Sequence, residues 1–201
     1  FCVNWKPAQN KRMDLQLTEK NALVCGSSKG IGKAAAIELA RLGAHVTLVA
    51  RSADIMADLI HELDRSWGQT HDFLAADFSD PDDLHRKVRG LAAGKPLHIL
   101  VNNTGPPPGP LLDADTGALL EAFTQHLLCN QLLAQLVVPG MRRAGYGRII
   151  NIVSTSVKEP LPNLGVSNTI RGAVGNWAKT LANELGPAGI TVNNVLPGMT
   201  D

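Results

Sequence analysis

The chain has 201 residues, of which 44% are hydrophobic, enough to bury one substantial core in a single domain. Its net charge is +1, its Lys and Arg residues are scattered singly, and aromatic residues make up only 4%, which excludes a nucleic-acid face or an electrostatic membrane anchor. The three cysteines and six histidines lack metal-ligand spacing, and no apolar run is long enough to span a bilayer. We therefore expect a cytoplasmic protein without a metal site.

Strands and helices alternate along the chain. Residues 1–12 show no periodicity and precede a plausible start at Met13, so they are a native or an artificial extension. In chain order we predict a strand from Ala22 to Cys25, helix 33–42 capped by Gly43, strand 44–50, helix 53–66, strand 71–77, helix 81–93 capped by Ser79-Asp80-Pro81, strand 97–103, a Pro- and Gly-rich loop over 104–112, a long helix over 116–143 that Pro139 bends, strand 147–154, helix 166–185, and a strand with its exit turn over 189–198. Because the strands are apolar on both faces, residues 13–201 are expected to form one α/β domain with a doubly wound parallel sheet of the Rossmann type.

Three glycines follow the first strand with the spacing G-x-x-x-G-x-G: Gly26, Gly30 and Gly32. Glycine allows the positive φ of a sharp turn and lets a ligand approach the backbone closely. The helix that follows directs free N–H groups and its positive dipole end at that ligand. The motif therefore predicts a phosphate cradle, the alternative being a turn that binds nothing. In such sheets ligands bind beyond the carboxyl ends of the strands.

Four segments, in this order, resemble the short-chain dehydrogenase/reductase family: Gly26–Gly32, Asn102–Gly105, Gly147–Ser154 and Val192–Gly198. Within that family they are most similar to the 3-oxoacyl-[acyl-carrier-protein] reductase group. The resemblance implies a nicotinamide-dependent oxidoreductase that acts on a small carbonyl or hydroxyl substrate, commonly as a tetramer or dimer. Family members typically continue into a substrate lid and a last strand, which we do not expect within residues 13–201.

The resemblance assigns a cofactor site. It implies that Gly26, Ser27, Ser28, Lys29, Gly30, Ile31 and Gly32 cradle the pyrophosphate, that Asp77 and Phe78 flank the adenine, that Asn103 and Gly105 line the adenosine side, and that Pro197 and Gly198 pack against the nicotinamide. Cys25 stands where the family commonly has Thr, a change of little expected consequence.

The second strand ends in Ala50 and Arg51, where an NAD-binding protein would carry an acid for the ribose 2′-OH. Arg51, together with Lys29 in the glycine turn, favours a 2′-phosphate and hence NADP(H) over NAD. The alternative is that both cations are solvated surface residues.

The catalytic positions of the family are altered. Ser154 matches the substrate-orienting serine, but the family's Tyr and Lys fall on Ser167 and Arg171. A serine hydroxyl is a weaker acid than a phenol, and arginine can bind ribose hydroxyls but cannot pass a proton. The single tyrosine, Tyr146, precedes the fifth strand and is expected about 25 Å from Ser154.

The family's fourth catalytic position, an asparagine that holds a proton-relaying water, falls on His126, with Asn130 one turn later as a weaker candidate. A histidine titrates near neutral pH and could relay or donate a proton; it could equally be a hydrogen-bonded helix residue without a chemical role. Asp113 and Asp115 are interpreted as N-caps of the long helix. The apolar residues of 118–138 and 173–185 could form core or an oligomer face.

Two functions follow from this pattern. The first is an NADP(H)-dependent oxidoreductase that reduces a carbonyl such as a 3-oxoacyl thioester. In it, Ser154 and Ser167 would hydrogen-bond the carbonyl, Arg171 would stabilise the alkoxide, and a proton would arrive from water or through His126. The second is an NADP(H)-binding sensor or partner subunit whose catalysis is impaired.

Overall fold

The computed structural model describes residues 14–105 and 109–198, and the predictions for residues 1–12 and for the prolines at 106–108 lie outside them. Six parallel strands form one sheet in the order β3-β2-β1-β4-β5-β6. The elements are β1 (Asn21–Cys25), α1 (Gly30–Arg41), β2 (His45–Ala50), α2 (Ala53–Glu62), β3 (Asp72–Ala75), α3 (Pro81–Gly94), β4 (Ile99–Asn102), α4 (Thr116–Phe123), α5 (Cys129–Ala144), β5 (Gly147–Ile152), α6 (Gly165–Leu185) and β6 (Ile190–Val195). The predicted doubly wound α/β fold is confirmed.

Helices cover the sheet on both faces because successive strand residues point to opposite sides. In β1, Leu23 packs into the layer that includes Leu84 of α3 and Leu133 of α5. The next residue, Val24, packs into the layer that includes Ala36 of α1 and Met56 of α2. Each face of the central strands therefore has its own apolar core.

The predicted helix 53–66 is too long, because α2 ends at Glu62. The chain turns there: the Gly68 N–H donates to the Arg65 carbonyl at 2.9 Å, and Gly68 has a φ of +77°. Strands β3 and β4 are shorter than predicted, and α1 begins at Gly30 rather than at residue 33.

The predicted helix 116–143 contains an irregularity that the sequence pattern did not indicate. A π-helical turn, Thr124–Leu128, joins α4 to α5. Such turns widen the helix by one residue and are frequent at functional sites. This one carries His126, which is buried.

Helix caps confirm part of the prediction. Gly43 has a φ of +96° and follows Leu42, the residue that caps α1, and the Asp80 side chain accepts the Asp83 N–H at the start of α3. The Asp115 side chain accepts the Ala118 N–H at 2.7 Å. Asp113 makes no such bond within the described residues, so its interpretation as a cap is wrong.

The chain reverses its direction of winding between β1 and β4, which are neighbours in the sheet. In doubly wound sheets this switch point opens a crevice at the carboxyl ends of the strands. The glycine turn after β1 and the segment Asn103–Gly105 after β4 lie side by side at this end of the sheet.

Candidate cofactor and catalytic site

The glycine turn lies directly against the segment that leaves β4. Gly26 has a φ of +61°, and a Cβ on it would overlap the backbone carbonyl of Asn103. A Cβ on Gly32 would overlap the Gly26 carbonyl and lie 2.6 Å from Asn103 Nδ2. Asn103 Nδ2 also donates to the Gly26 carbonyl at 3.1 Å. Asn103 therefore holds the turn in place.

The other side of the turn is open. Gly30 has a φ of +55°, and a Cβ on it would meet no described atom within 4 Å. The Lys29 side chain precedes α1 without capping it. The N-terminal N–H groups of this helix thus border an open cradle, which fits a phosphate group.

The remaining residues of the turn have different surroundings. Ser27 is fully buried, and both its N–H and its hydroxyl donate to the Val49 carbonyl at 3.4 Å. Its side chain therefore braces the turn against β2. Ser28 and Ile31 are half-buried, and Lys29 is exposed.

Two cations lie at the edge expected to receive an adenosine ribose. Arg51 is exposed directly after β2. The pKa of Asp77 is lowered, chiefly because the Ser79 N–H donates to this carboxylate at 3.0 Å, and the positive charge of Arg51 adds to this effect. Across the two described ranges, neither Arg51 nor Lys29 has an ion-pair partner, whereas Lys33 pairs with Glu62 at 2.8 Å.

Phe78 and Pro197 are placed differently relative to the surface. Phe78 is buried in the core with Leu84. The Pro197 carbonyl accepts the Thr155 N–H at 3.1 Å, which fixes the exit of β6 beside Ser154. Gly198 is exposed at this exit.

Arg171 connects the ends of two strands. Its Nη1 donates to the Ile152 carbonyl at the end of β5. Its Nη2 lies 3.5 Å from the position that a Cβ would occupy on Gly105, which follows β4. Burial lowers the pKa of the guanidinium, which nevertheless stays charged because arginine does not deprotonate in proteins.

The two candidate serines both precede Arg171 in the sequence and have different environments. Ser154 Oγ accepts the Ser156 N–H at 3.1 Å, which leaves its own proton free to donate. Ser167 is buried one turn before Arg171 on α6. No hydrogen bond joins Ser154, Ser167 and Arg171 to one another in the described part of the chain.

His126 forms a hydrogen bond with Thr104, a residue that the sequence pattern did not single out. Its Nδ1 lies 2.6 Å from the hydroxyl of Thr104, which leaves β4 just after Asn103. Burial, and secondarily the charge of Arg171, lowers the pKa of His126 to about 4. The imidazole is therefore neutral at pH 7.

A small cavity of about 10 Å³ separates His126 from Arg171. Four buried polar atoms of its lining residues find no partner among the described residues: Asn102 Oδ1, His126 Nε2, Asn130 Oδ1 and Arg171 Nε. Arg171 Nε donates, and the others can accept. Volume and donor set suit one water molecule, which makes two to four hydrogen bonds in such sites.

Three asparagines form a hydrogen-bonded row beneath this cavity, which we call the asparagine ladder: Asn102 on β4, Asn151 on β5 and Asn194 on β6. They are in register across the strands. Asn102 Nδ2 donates to Asn151 Oδ1 at 2.8 Å, and Asn151 Nδ2 donates to Asn194 Oδ1 at 3.0 Å. Asn194 Nδ2 donates to the Gly175 carbonyl on α6 at 3.4 Å. Hydrophobic periodicity does not indicate this row, whereas an asparagine near the end of each of three neighbouring strands is a signal that could have revealed it.

Residues 14–105 and 109–198 were compared with the requirements of a metal centre and of a membrane-spanning helix. These residues contain no cluster of three or more His, Cys, Asp or Glu side chains that could hold a metal ion. None of their helices combines the length and apolar character needed to cross a membrane.

Comparison with known proteins agrees with the resemblance. The family model described as short chain dehydrogenase matches residues 20–201. Very-long-chain 3-oxoacyl-CoA reductase of Aspergillus clavatus is 32% identical over 178 residues, which are 87% of this chain and 52% of that protein. Inactive hydroxysteroid dehydrogenase-like protein 1 of Homo sapiens is 28% identical over 179 residues, 88% of this chain and 54% of that protein. The chain thus spans about half the length of these curated relatives.

A solved structure extends the likeness to three dimensions. The crystal structure of 3-oxoacyl (acyl-carrier-protein) reductase from Agrobacterium tumefaciens C58, with NADP bound, matches with a TM-score of 0.89 and 26% identity. The match covers 96% of this chain and 76% of that one. With the family model matched from residue 20 to residue 201, the chain belongs to the short-chain dehydrogenase family.

Proposed function

We propose that this protein binds NADP(H) and reduces a carbonyl compound such as a 3-oxoacyl thioester. The observation that carries the proposal is the placement of Arg171, a half-buried cation held by the Ile152 carbonyl beside Gly105, at the crevice that the glycine turn borders. The names of the Aspergillus and Agrobacterium relatives support the substrate class.

The residues present fit the dinucleotide. The open side of Gly30 and the N-terminus of α1 would hold the pyrophosphate, and Asn103 and Gly105 would line the adenosine side. Arg51 and Lys29 would bind a 2′-phosphate through charge-assisted hydrogen bonds. When bound, the nicotinamide supplies the hydride.

The chain's own groups would act on the carbonyl oxygen. Ser154, whose proton is not engaged, and Ser167 would donate hydrogen bonds to it. The charge of Arg171 would stabilise the oxyanion in a half-buried site, where electrostatic interactions are stronger than in water. Because His126 is neutral at pH 7, it would relay a proton between its two ring nitrogens rather than store one, and water would be the source.

Arg51→Ala tests the cofactor assignment. We expect NADPH to bind roughly tenfold more weakly, since a charge-assisted bond contributes about 1.4 kcal/mol or more, with NADH affinity unchanged. Lys33→Ala is the matched control, because Glu62 already engages that cation. Titration by nicotinamide fluorescence gives both affinities. An equal loss for NADPH and NADH would contradict a 2′-phosphate site at Arg51.

Turnover tests the reaction. NADPH oxidation is followed with a panel of 3-oxoacyl thioesters, ketones and aldehydes, and we expect activity that Ser154→Ala abolishes. Tight NADPH binding without turnover on any substrate would contradict the proposed reductase activity and support a binding function without catalysis.

That second function is an NADP(H)-binding sensor or partner subunit, and a specific observation favours it. Ser167 and Arg171 replace the tyrosine and lysine that the family resemblance predicts, and one relative carries the word inactive in its name. The double variant Ser167→Tyr, Arg171→Lys separates the alternatives: a gain of activity with unchanged NADPH affinity would show that proton supply limits this site.

We also propose that the chain forms a homo-oligomer, dimer or tetramer, through the long helices. Leu120, Phe123 and Leu128 are exposed along α4 and the π-helical turn, with 65%, 37% and 46% of their surfaces accessible. An apolar stripe of this kind is typical of an interaction surface. Sedimentation velocity measures the state directly, and a monomer at micromolar concentration would contradict it.

A further inference from the structure

We propose that the asparagine ladder positions the Arg171 guanidinium, and that Asn194, at the far end of the ladder, is a positioning residue of the site. The consequence for cofactor binding rests on the proposed function, whereas the effect on Arg171 does not.

The direction of the ladder is set at α6. The Gly175 carbonyl can only accept, so Asn194 must present Nδ2 to it. Asn194 then offers Oδ1 to Asn151, which must donate, and Asn151 in turn offers Oδ1 to Asn102. One backbone carbonyl therefore fixes the orientation of all three amides.

The last amide faces the cavity. With Nδ2 committed to Asn151, Asn102 turns Oδ1 toward the space that Arg171 also lines. Asn102 Oδ1 and Arg171 Nε are two of the four buried atoms at this cavity without a partner among the described residues, one an acceptor and the other a donor. A flipped Asn102 would instead place its amide N–H groups opposite the guanidinium. Both groups are donors, so they could not be linked by an acceptor on Asn102.

The ladder also contacts α6, the helix that carries Arg171. Gly175 lies four residues after Arg171 on α6, so the two are neighbours on one side of the helix. The ladder thus touches α6 at Gly175 and meets it again at Arg171 across the cavity. Asn102 and Asn151 are almost fully buried, with 3% and 1% of their surfaces exposed, so a broken bond would leave a costly unpaired amide.

The test compares two neighbouring asparagines. Asn194→Leu keeps a similar volume and removes the polar contacts, whereas Asn193→Leu alters an exposed side chain that bonds only Thr191 Oγ1 at 3.3 Å. In ¹H–¹⁵N spectra of the protein without cofactor, the Arg171 Nε–H signal is assigned by its loss in Arg171→Lys. We expect it to shift or broaden in Asn194→Leu and to stay in place in Asn193→Leu.

A conservative variant separates orientation from general stability. In Asn194→Asp the carboxylate can only accept, so Asn151 must still donate to it and the inner amides keep their direction, although the bond to the Gly175 carbonyl is lost. The Arg171 signal is therefore expected to stay closer to its original position than in Asn194→Leu. NADPH affinity, measured by fluorescence, is expected to fall roughly three- to tenfold in Asn194→Leu, the effect of about one lost hydrogen bond.

An Arg171 signal that is unchanged in a folded Asn194→Leu protein would overturn the proposal. If Asn194→Leu does not fold, Asn194→Thr replaces it, since threonine suits a strand and is too short to reach both partners. The spectra are recorded without cofactor or substrate, so they stay decisive even if no turnover is found. Absence of NADPH binding in the unaltered protein would instead contradict the cofactor assignment and leave the spectral test of the ladder intact.

Discussion

Gly26 and Gly30 share a positive φ, but the space around them differs. At Gly26 a methyl group would overlap the Asn103 carbonyl, whereas at Gly30 it would point into open space. Gly26→Ala is therefore expected to lower the free energy of unfolding by about 3 kcal/mol or more, from overpacking and left-handed strain together. Gly30→Ala is expected to cost only the strain, about 1–2 kcal/mol.

Ligand binding is expected to rank the two variants in the opposite order. Gly30→Ala loses less stability than Gly26→Ala but is expected to lose more affinity for the ligand. The new methyl group of Gly30→Ala would occupy the open side of the cradle, so NADPH affinity is expected to fall by roughly tenfold or more in a protein that remains folded. Urea unfolding and nicotinamide fluorescence measure the two effects. Equal loss of stability in both variants would contradict the steric account of Gly26.

Single residues differ in how far the sequence could predict them. The glycine turn was predictable because its requirement is local: a sharp turn, a strand before it and a helix after it. The neutral state of His126 was not predictable, because it depends on burial within a π-helical turn and on Arg171, which lies far away in the sequence. The Thr104 hydroxyl, 2.6 Å from His126, became visible only once β4 and that turn were placed together.

At the scale of elements, the start of α4 offers a matched pair of aspartates. Asp115 accepts the Ala118 N–H, so Asp115→Ala is expected to lower the free energy of unfolding by about 1 kcal/mol. Asp113→Ala, two residues earlier on the exposed surface, is expected to change it by less than about 0.5 kcal/mol. Urea titration at pH 7 measures both, and an equal loss in the two variants would contradict the assignment of the cap.

Element types were more predictable than element irregularities. Apolar strands and amphipathic helices follow from hydrophobic periodicity, which is strong over ten or more residues. The π-helical turn Thr124–Leu128 shifts that periodicity by a single residue, too little to stand out in an apolar run. The ladder escaped prediction for another reason, since hydrogen bonds between strands leave no periodic signal within any one of them.

The stability of the whole molecule is expected to fall in mild acid. Burial is the main cause that lowers the pKa of His71, His98 and His126, the last to about 4. His71 and His98 each accept a backbone N–H at Nδ1, from Val46 at 3.2 Å and from Asn21 at 3.0 Å. Protonation would break these bonds, and Lys20 near His98 and Arg171 near His126 oppose a further positive charge.

The direction in which stability changes with pH follows from proton binding. Below about pH 6.5 the unfolded chain binds protons at these histidines while the folded chain does not, so stability falls as the pH falls. For His126 the loss is complete near pH 4 and amounts to about 3 kcal/mol. Asp64, Asp77 and Asp83 have lowered pKa values, so their contribution is lost only below about pH 3.8, in a separate window.

Urea unfolding at pH 7.5 and pH 5 tests this expectation. His126→Gln is expected to reduce the difference in stability between the two pH values, whereas the exposed His61 of α2 gives a control, His61→Gln, with an unchanged difference. An identical pH difference in the wild type and in His126→Gln would show that His126 does not contribute.

The asparagine ladder has a consequence for how this sequence can change over generations. Because one carbonyl on α6 orients three amides in series, loss of any one asparagine leaves the others with mismatched or buried unpaired groups. A lineage is therefore expected to lose the three positions together or not at all, exchanging them for apolar residues as a set. Correlated substitution at positions 102, 151 and 194 among descendants of this gene would be the trace of that coupling.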